Sequence, residues 1–469
     1  MAVGGDPATS PLYVFGPFLR LIVPAGVASV TFGPSVWLAV LTVSVVSLTY
    51  RLVLTWVTDG TGGSGLSEEE FGRWASKVNA SITFIEYSLT FLVSMAALVT
   101  FLVDRFPVIE DDLLGVQLRL PVALILSLLT GLVVLRGPRI AALAFGPATA
   151  GVLFLLWLMM GATIYRFGFT LPSFDFTAFH SDYLGFTLGG YARILALMTG
   201  IEVFANLVSA YEGDEAERSR KAFRSLMIVM GSTAATMLIV GPAILELSDP
   251  ARTDVSVFTQ TMDALLPVPL AYLGTGIGMA VLLSACATAL QGIAHLAHGL
   301  THRRYLPGWL GQTNRHGIAA RMVWIELVVI AVSFTLFGTE EESYLAVYAA
   351  GVFVLLSMTA WAAGSRLWRT LRRSRSGRDA SQLAAVLTAA VLTSLATVVI
   401  FVERFHDGAW LYLALVPCLY FGMTRAQASL GAPSAEEDYL GRCIACTCSG
   451  QLAAACTCEG CVGEGNHAK

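Results

Sequence analysis

The sequence predicts an all-α membrane protein of about twelve helices. Of its 469 residues, 55% are hydrophobic and only 13% are charged, and the mean hydropathy is +0.69. A soluble domain carries about 25% charged residues, and its single core could not hide this much apolar surface. Long apolar runs also recur along the chain, which is typical of helices surrounded by lipid.

Twelve segments approach the length of about 20 mostly apolar residues that a membrane helix needs. They cover residues 11–30, 35–57, 80–103, 118–135, 140–163, 188–211, 222–247, 270–297, 320–337, 345–368, 383–401 and 411–423. We therefore assign residues 1–424 to a transmembrane domain and residues 425–469 to a short polar tail. The polar, glycine-rich start of the chain does not predict a cleavable signal peptide.

Lysine and arginine residues concentrate in alternate loops. One such loop, between the sixth and seventh spans, holds Arg218, Arg220, Lys221 and Arg224, whereas the intervening loops hold acidic clusters such as residues 340–342. The positive-inside rule then places both termini in the cytoplasm of a multi-pass protein of the cell inner membrane. The expected partner is the lipid bilayer. No nucleotide-binding glycine loop or nucleic-acid module was recognised in the sequence, and we predict neither an enzyme nor a nucleic-acid partner.

Acidic residues stand where the spans should face lipid. A carboxylate at mid-membrane costs about 2.5–3.5 kcal/mol on insertion scales, so it usually faces a cavity and has a function. Glu86 is followed by Thr90 and Ser94 at steps of four, which places the three on one helix face beside Tyr87. This pattern favours a cation or proton site, and hydrogen bonding between helices is the structural alternative.

Glu202 and Asp6 stand beside helix-breaking residues. Glu202 follows Gly200, which suits a helix that breaks and frees its carbonyls; the alternative is a structural ion pair with Arg193. Asp6 precedes Pro7 and could simply cap a helix. Interrupted helices at corresponding places in two halves of a chain are the expected sign of an inverted-repeat transporter. Because both carboxylates stand beside such interruptions, we favour a functional role for each of them.

Six motifs run along nearly the whole chain. In order they are GGDPATSPLY, IEYSLTFLVSMAA, TGIEVFANLVSAYEGDEAERSRKAF, RRYLP, VYAAGVF and RFHDGAWLYLALVP. They resemble motifs of the KUP- and KimA-type potassium transporters of the amino acid–polyamine–organocation (APC) superfamily. The resemblance implies a LeuT-like fold with two inverted five-helix repeats and two further helices. It also implies a secondary transporter that imports K⁺ together with H⁺.

The resemblance also implies the cation-site residues. Carried over by motif, they are Asp6, Tyr13, Glu86, Tyr87, Thr90, Ser94 and Glu202. Asp6 and Glu86 are expected to bind the ion, and Glu202, with Glu86, to couple it to protons. Glu86 replaces the usual aspartate, which lengthens the side chain.

The chain also departs from the family pattern. Asp6 comes much sooner than its counterpart in the family, which predicts either residues upstream of Met1 or a missing inner part of the first helix. The eighth span lacks the usual phenylalanine and proline pattern, and the large cytoplasmic domain of KimA-type proteins is absent from the sequence.

Two other functions remain open at this point. An amino acid or polyamine permease would share the fold, although Asp6 would repel a substrate carboxylate bound at the first helix. A non-transporting sensor or binding protein would be consistent with a shortened first helix. The sequence leaves the oligomeric state open, with a homodimer as one candidate.

Six cysteines crowd into the tail with the spacing C-x2-C-x-C-x7-C-x-C-x2-C. They are Cys443, Cys446, Cys448, Cys456, Cys458 and Cys461. Such paired thiolates can hold a soft ion, Zn²⁺ or Cu(I), and a cytoplasmic location disfavours disulfides. The alternative is an unstructured tail with incidental cysteines. No other cofactor is predicted.

Overall fold

The computed structural model describes residues 5–58, 61–110, 112–113, 116–198, 200–206, 208, 211, 213–252, 255–374 and 376–445, and almost all of this chain is helical. The helices of its first half are α1 (Gly5–Ile22), α2 (Ala28–Trp56), α3 (Gly62–Phe71), α4 (Arg73–Val103), α5 (Arg119–Val134), α6 (Pro138–Phe167), α7 (Ser181–Ile194) and α8 (Ile201–Asn206).

The second half continues the same all-α pattern. Its helices are α9 (Glu215–Ile239), α10 (Gly241–Leu247), α11 (Val257–Leu265), α12 (Val268–His302), α13 (Ala320–Phe337), α14 (Glu341–Ser374), α15 (Gly377–Glu403), α16 (Leu411–Leu430) and α17 (Ala435–Ala445). Two two-residue strands, β1 (Asp112–Leu113) and β2 (Val116–Gln117), form an antiparallel hairpin. Each of the twelve predicted spans overlaps at least one of these helices.

The outside of the bundle is apolar, as a lipid-facing surface must be. Eight of the described helices are long and apolar enough to cross a membrane. On α13, Val328, Val332 and Leu336 stand at steps of four and are 61%, 50% and 69% exposed. A row of exposed aliphatic side chains of this length would be costly in water and is favourable in hydrocarbon. The structure is therefore that of an all-α membrane protein.

The centre of the bundle is formed by α4, which packs against α12 and α14, while α1 packs against α7 and α12. Small residues bring these helices close together. Gly278 on α12 faces the ring of Phe101, and Gly292, two heptads further along, faces the ring of Tyr87 on α4. Glycine interfaces allow aromatic rings of one membrane helix to lie against the backbone of another.

Two helix boundaries differ from the sequence-based prediction. The predicted first span, 11–30, crosses a turn at residues 23–27, where Pro24 is followed by Gly26 with φ +70°. The predicted sixth span, 188–211, contains a real break: α7 passes into a 3₁₀ turn, Leu195–Met198, and α8 starts only after Gly200, whose φ is +87°. Glycine reaches such left-handed angles without steric cost.

Helix α3 was not predicted, because its sequence, GGSGLSEEEF, is polar and short. It lies between α2 and α4 at the arginine-rich ends of the helices, which we call the inner side after the charge bias. It packs against α4, α8 and α14. A short polar helix in this place links the helices that carry the candidate site to the inner surface.

The α4–α12 interface offers a test of this packing. A Cβ atom at Gly278 would lie 2.8 Å from Cε1 of Phe101, whereas at Gly276, also on α12, it would meet nothing within 4 Å. We expect Gly278→Ala to destabilise the purified protein by about 1–3 kcal/mol, because overpacking forces the ring to shift. The matched control, Gly276→Ala, should be neutral or slightly stabilising. Thermal unfolding in detergent would measure both; equal midpoints for the two variants would contradict the tight interface.

Candidate functional site

The carboxylate of Glu202 lies at the break between α7 and α8, in the first turn of α8. The hydroxyl of Tyr50 on α2 donates a hydrogen bond to Oε2 of Glu202. The backbone N–H of Gly63 on α3 donates another to Oε1 at 2.6 Å. The proposed ion pair with Arg193 is not formed; that guanidinium donates to the carbonyl of Gly189 at 3.0 Å. The interpretation of Glu202 as a structural partner of Arg193 is therefore wrong.

The start of α3 is shaped to receive this carboxylate. Gly62 has φ +54°, and a Cβ atom at Gly63 would lie 2.9 Å from Oε1 of Glu202. Only glycine at these two positions lets the backbone approach so closely. The free N–H groups at a helix N-terminus carry partial positive charge, which stabilises an adjacent carboxylate.

Glu86 lies on α4, one turn before Thr90 and two before Ser94, and is half-buried. Thr90 and Ser94 are almost completely buried, and Oγ1 of Thr90 donates to the hydroxyl of Tyr348 on α14 at 3.0 Å. Glu86 is close enough to Tyr50 to interact with it electrostatically. Tyr50 thus links the two predicted carboxylates, because it donates a hydrogen bond to Glu202 and interacts electrostatically with Glu86.

Tyr412 on α16 adds a further hydroxyl beside Glu86, with which it also interacts electrostatically. The side chain is 3% exposed, and its hydroxyl has no hydrogen-bond partner among the described residues. It lies against Gly351 on α14, where a side chain would collide with the hydroxyl. A buried hydroxyl of this kind is available to a ligand or to a water molecule.

A small polar cavity of about 60 Å³ lies on the inner side of Glu202. Tyr87 lines it, with its ring against Gly292, and so do Asn79 and Thr83 of the same helix. Its volume corresponds to about two water molecules at liquid density. Space of this size suits a monatomic ion or water.

The first helix contributes Tyr13, which is 2% exposed and whose hydroxyl lies 3.4 Å from Oγ of Ser10. Tyr13 lines a second, larger cavity of about 1650 Å³, which reaches the ion pairs Arg20–Glu342 and Arg119–Glu340. Neither Glu86 nor Glu202 lines that cavity. Glu202 lines the small cavity and Glu86 lines neither, so the structure does not place Tyr13 in one cavity with either carboxylate.

Asp6 lies in the first turn of α1, but its side chain is outside the described residues. The same holds for the side chain of Cys443 at the end of α17, and residues 446–469, with the other five tail cysteines, are also outside them. Within the described chain, no group of three or more His, Cys, Asp or Glu side chains is placed to hold a metal. The cation role of Asp6 and the metal site of the tail stay predictions.

The predicted site residues that the structure describes thus divide into two groups: those on or near α4, and Tyr13, which lies at the larger cavity. Glu86, Tyr87, Thr90 and Ser94 share one helix, and Glu202 reaches their neighbourhood through Tyr50. Sequence reasoning missed Tyr50, Tyr348 and Tyr412, since a tyrosine in an apolar span is common and carries no spacing signal. The glycine pair at the start of α3 was a usable signal, because consecutive glycines mark places where the backbone approaches another group closely.

Comparisons with known proteins agree with this architecture. Residues 2–423 match the amino acid permease family. Over 353 residues the chain is 23% identical to the potassium transporter KimA of Bacillus subtilis (strain 168). The match covers 72% of this chain and 56% of KimA, so the chain spans only about half the length of that relative. The family match extends over the whole transmembrane region, and with the all-α fold it shows that the chain belongs to the amino acid permease family of the APC superfamily.

Proposed function

We propose that this protein imports potassium across the cell inner membrane, coupled to protons, with both termini in the cytoplasm. The observation that carries the proposal is a pair of carboxylates from separate helices: Glu202 accepts a hydrogen bond from Tyr50 beside a broken helix, and Glu86 interacts electrostatically with the same tyrosine. The name of the relative KimA, a potassium transporter, supports the choice of ion.

The chemistry of the site favours a bare cation. A dehydrated K⁺ needs oxygen ligands in place of its water, and this region offers carboxylates together with the hydroxyls of Thr90 and Tyr412. The carboxylates would repel the carboxylate of an amino acid, and the cavity beside Glu202, at about 60 Å³, has the volume of only about two waters. An amino acid permease is therefore the weaker alternative, and a polyamine remains an outcome of the test.

Glu202 is the candidate for proton coupling. Its ionised form accepts hydrogen bonds from Tyr50 and Gly63. When protonated, it could instead donate to the oxygen of Tyr50, so that the tyrosine remains hydrogen-bonded in both states. Loss of the negative charge would weaken cation binding and allow release on the inner side. A membrane potential of 100 mV adds about 2.3 kcal/mol per imported charge.

Uptake by the purified protein tests the substrate. In proteoliposomes with an imposed inward proton gradient, we expect uptake of radioactive rubidium, used as a potassium analogue. Excess potassium should compete with it, and excess amino acids or spermidine should not. Rescue of a potassium-uptake-deficient bacterium at low external potassium is the matching test in cells. Spermidine or amino acid uptake without rubidium uptake would contradict the proposal.

Replacement of the coupling carboxylate gives a sharper result. We expect Glu202→Gln to retain rubidium exchange but to lose its acceleration by a proton gradient, because the amide cannot ionise. Its oxygen can accept from the N–H of Gly63 while its NH2 group donates to the oxygen of Tyr50. Uptake measured at several external pH values would show a flat profile. The proton-coupling role fails if Glu202→Gln keeps the pH dependence of the wild type.

Two hydroxyl residues on α4 provide a matched pair of variants, one at the proposed site and one outside it. Thr90 bonds to Tyr348 on the inward side, whereas Ser88 lines the larger cavity and donates to its own helix at Phe84. We expect Thr90→Val to raise the apparent KM for rubidium by about tenfold, a loss of about 1.4 kcal/mol. Ser88→Ala is the matched control and should transport like the wild type. A larger effect at Ser88 than at Thr90 would place the ion at the larger cavity and would contradict the proposed site.

A further inference from the structure

Arg303, directly after α12, is the centre of a buried charge cluster on the inner side. Its side chain is 4% exposed. It donates to Oε1 of Glu68 on α3 at 2.5 Å, to Oδ1 of Asp438 on α17 at 2.9 Å and to Oγ of Ser76 on α4 at 2.7 Å. We call Arg303, Glu68, Asp438 and Ser76 the Arg303 cluster. It joins four separate elements through one guanidinium.

The cluster is charged and strongly held. Burial alone would lower the pKa of the Arg303 guanidinium, but the carboxylates of Glu68 and Asp438 and the nearby Tyr305 raise it above its ordinary value. Neutralisation of Asp438 would leave Arg303 paired with Glu68 and would weaken the charge-assisted hydrogen bond that holds α17 to the cluster.

The cluster stands at the inner end of the small cavity. Glu202 and Arg303 both line that cavity, together with Asn79 and Ser76. Helix α3 spans the same distance, because its Gly63 bonds to Glu202 and its Glu68 bonds to Arg303. An ion or a proton leaving Glu202 through this cavity therefore meets the guanidinium before it reaches the inner surface.

Helix α17 covers the guanidinium from the other side. Gly441 lies directly on the side chain of Arg303, and a Cβ atom there would be 2.7 Å from the carbonyl of Gly299. The helix begins with its own capping box, in which Ser434 and Glu437 exchange hydrogen bonds of 2.9 and 3.1 Å. Residues 431–434, without regular structure, join it to α16. Such a unit can undock while the membrane helices stay folded.

We propose that α17 is a latch, which closes the inner end of the cavity below Glu202 through the ion pair between Asp438 and Arg303. This inference rests on the proposed transport function, but its closing contact can be tested separately. Asp438 is 6% exposed, so the ion pair is screened little by solvent. With the latch docked, α17 covers Arg303 at the inner end of the cavity. With it released, Arg303 keeps Glu68 but loses Asp438 and the cover of α17, and the cavity opens to the inner side.

Cysteine accessibility tests the latch directly. Asn79 lines the cavity, is 2% exposed, and its Oδ1 has no hydrogen-bond partner among the described residues. Asn79→Cys would be placed in a full-length background in which Cys418 and the six tail cysteines are serine. In inside-out vesicles we expect Asp438→Asn to accelerate labelling by a membrane-impermeant maleimide about tenfold.

The adjacent residue supplies a matched control. Glu437 pairs with Arg304, which is 36% exposed and does not line the cavity. Glu437→Gln keeps the capping oxygen and should leave labelling unchanged. Gly441→Val is a second variant, which undocks α17 by shape instead of charge and should match Asp438→Asn.

The outcomes separate the two proposals. Labelling that is equally slow in wild type, Asp438→Asn and Gly441→Val overturns the latch, whatever the transport rates are. Faster labelling in both variants, in protein that elutes as wild type does on size exclusion, supports it even if rubidium uptake fails and the proposed substrate is wrong. If rubidium is transported, Asp438→Asn should also raise the uptake rate.

Discussion

The structure depends on one constraint: a carboxylate placed within the membrane-spanning bundle must be supplied with hydrogen-bond donors. Glu202 meets it with the hydroxyl of Tyr50 and the N–H of Gly63. The first donor fixes α2 against α8. The second requires a helix N-terminus and a pair of glycines directly below the carboxylate, which accounts for the position of α3. The break before α8 provides the room for both donors. In an unbroken helix, the side chain of Glu202 would lie along a continuous helical surface.

Helix α3 transmits this constraint to the inner surface. Its first turn holds Glu202, and its second holds Arg303 through Glu68, so the carboxylate and the buried arginine belong to one connected set of hydrogen bonds. Movement of α8 away from α3 would disturb the Arg303 cluster, and release of α17 would loosen the support of α3. This coupling requires only that two packed arrangements exist and that both ends favour the same one.

Much of the fold followed from hydropathy because lipid imposes a simple rule on composition. The ninth predicted span coincides with α13, Ala320–Phe337, whose exposed face is a row of aliphatic residues. The break near Gly200 was expected from a glycine before a buried acid. Helix α3 was missed because its polar residues match no membrane pattern, and the turn at Pro24 was missed because apolar residues continue through it. Prediction of the turn at Pro24 needs information about packing, which hydropathy does not contain.

The candidate site was likewise predictable only in part from the sequence. Glu86, Thr90 and Glu202 stood out because polar groups are rare in apolar spans, and helical spacing grouped the first two. Their relation to Glu202 runs through Tyr50, Tyr348 and Tyr412, three residues far apart in the chain that only tertiary structure brings together. Arg303 lies directly after α12, in a loop that the positive-inside rule predicts to face the cytoplasm. Its burial between α3 and α17 could not be inferred from the charge bias.

The central claim is that a cation binds between Glu86 and Glu202. The most direct measurement is an anomalous difference map of crystals grown with thallium, whose ion resembles K⁺ and scatters strongly. We expect a peak between α4 and α8, within coordination distance of oxygens of both side chains, and its loss in Glu86→Gln. A peak confined to the larger cavity, away from both carboxylates, would contradict the claim.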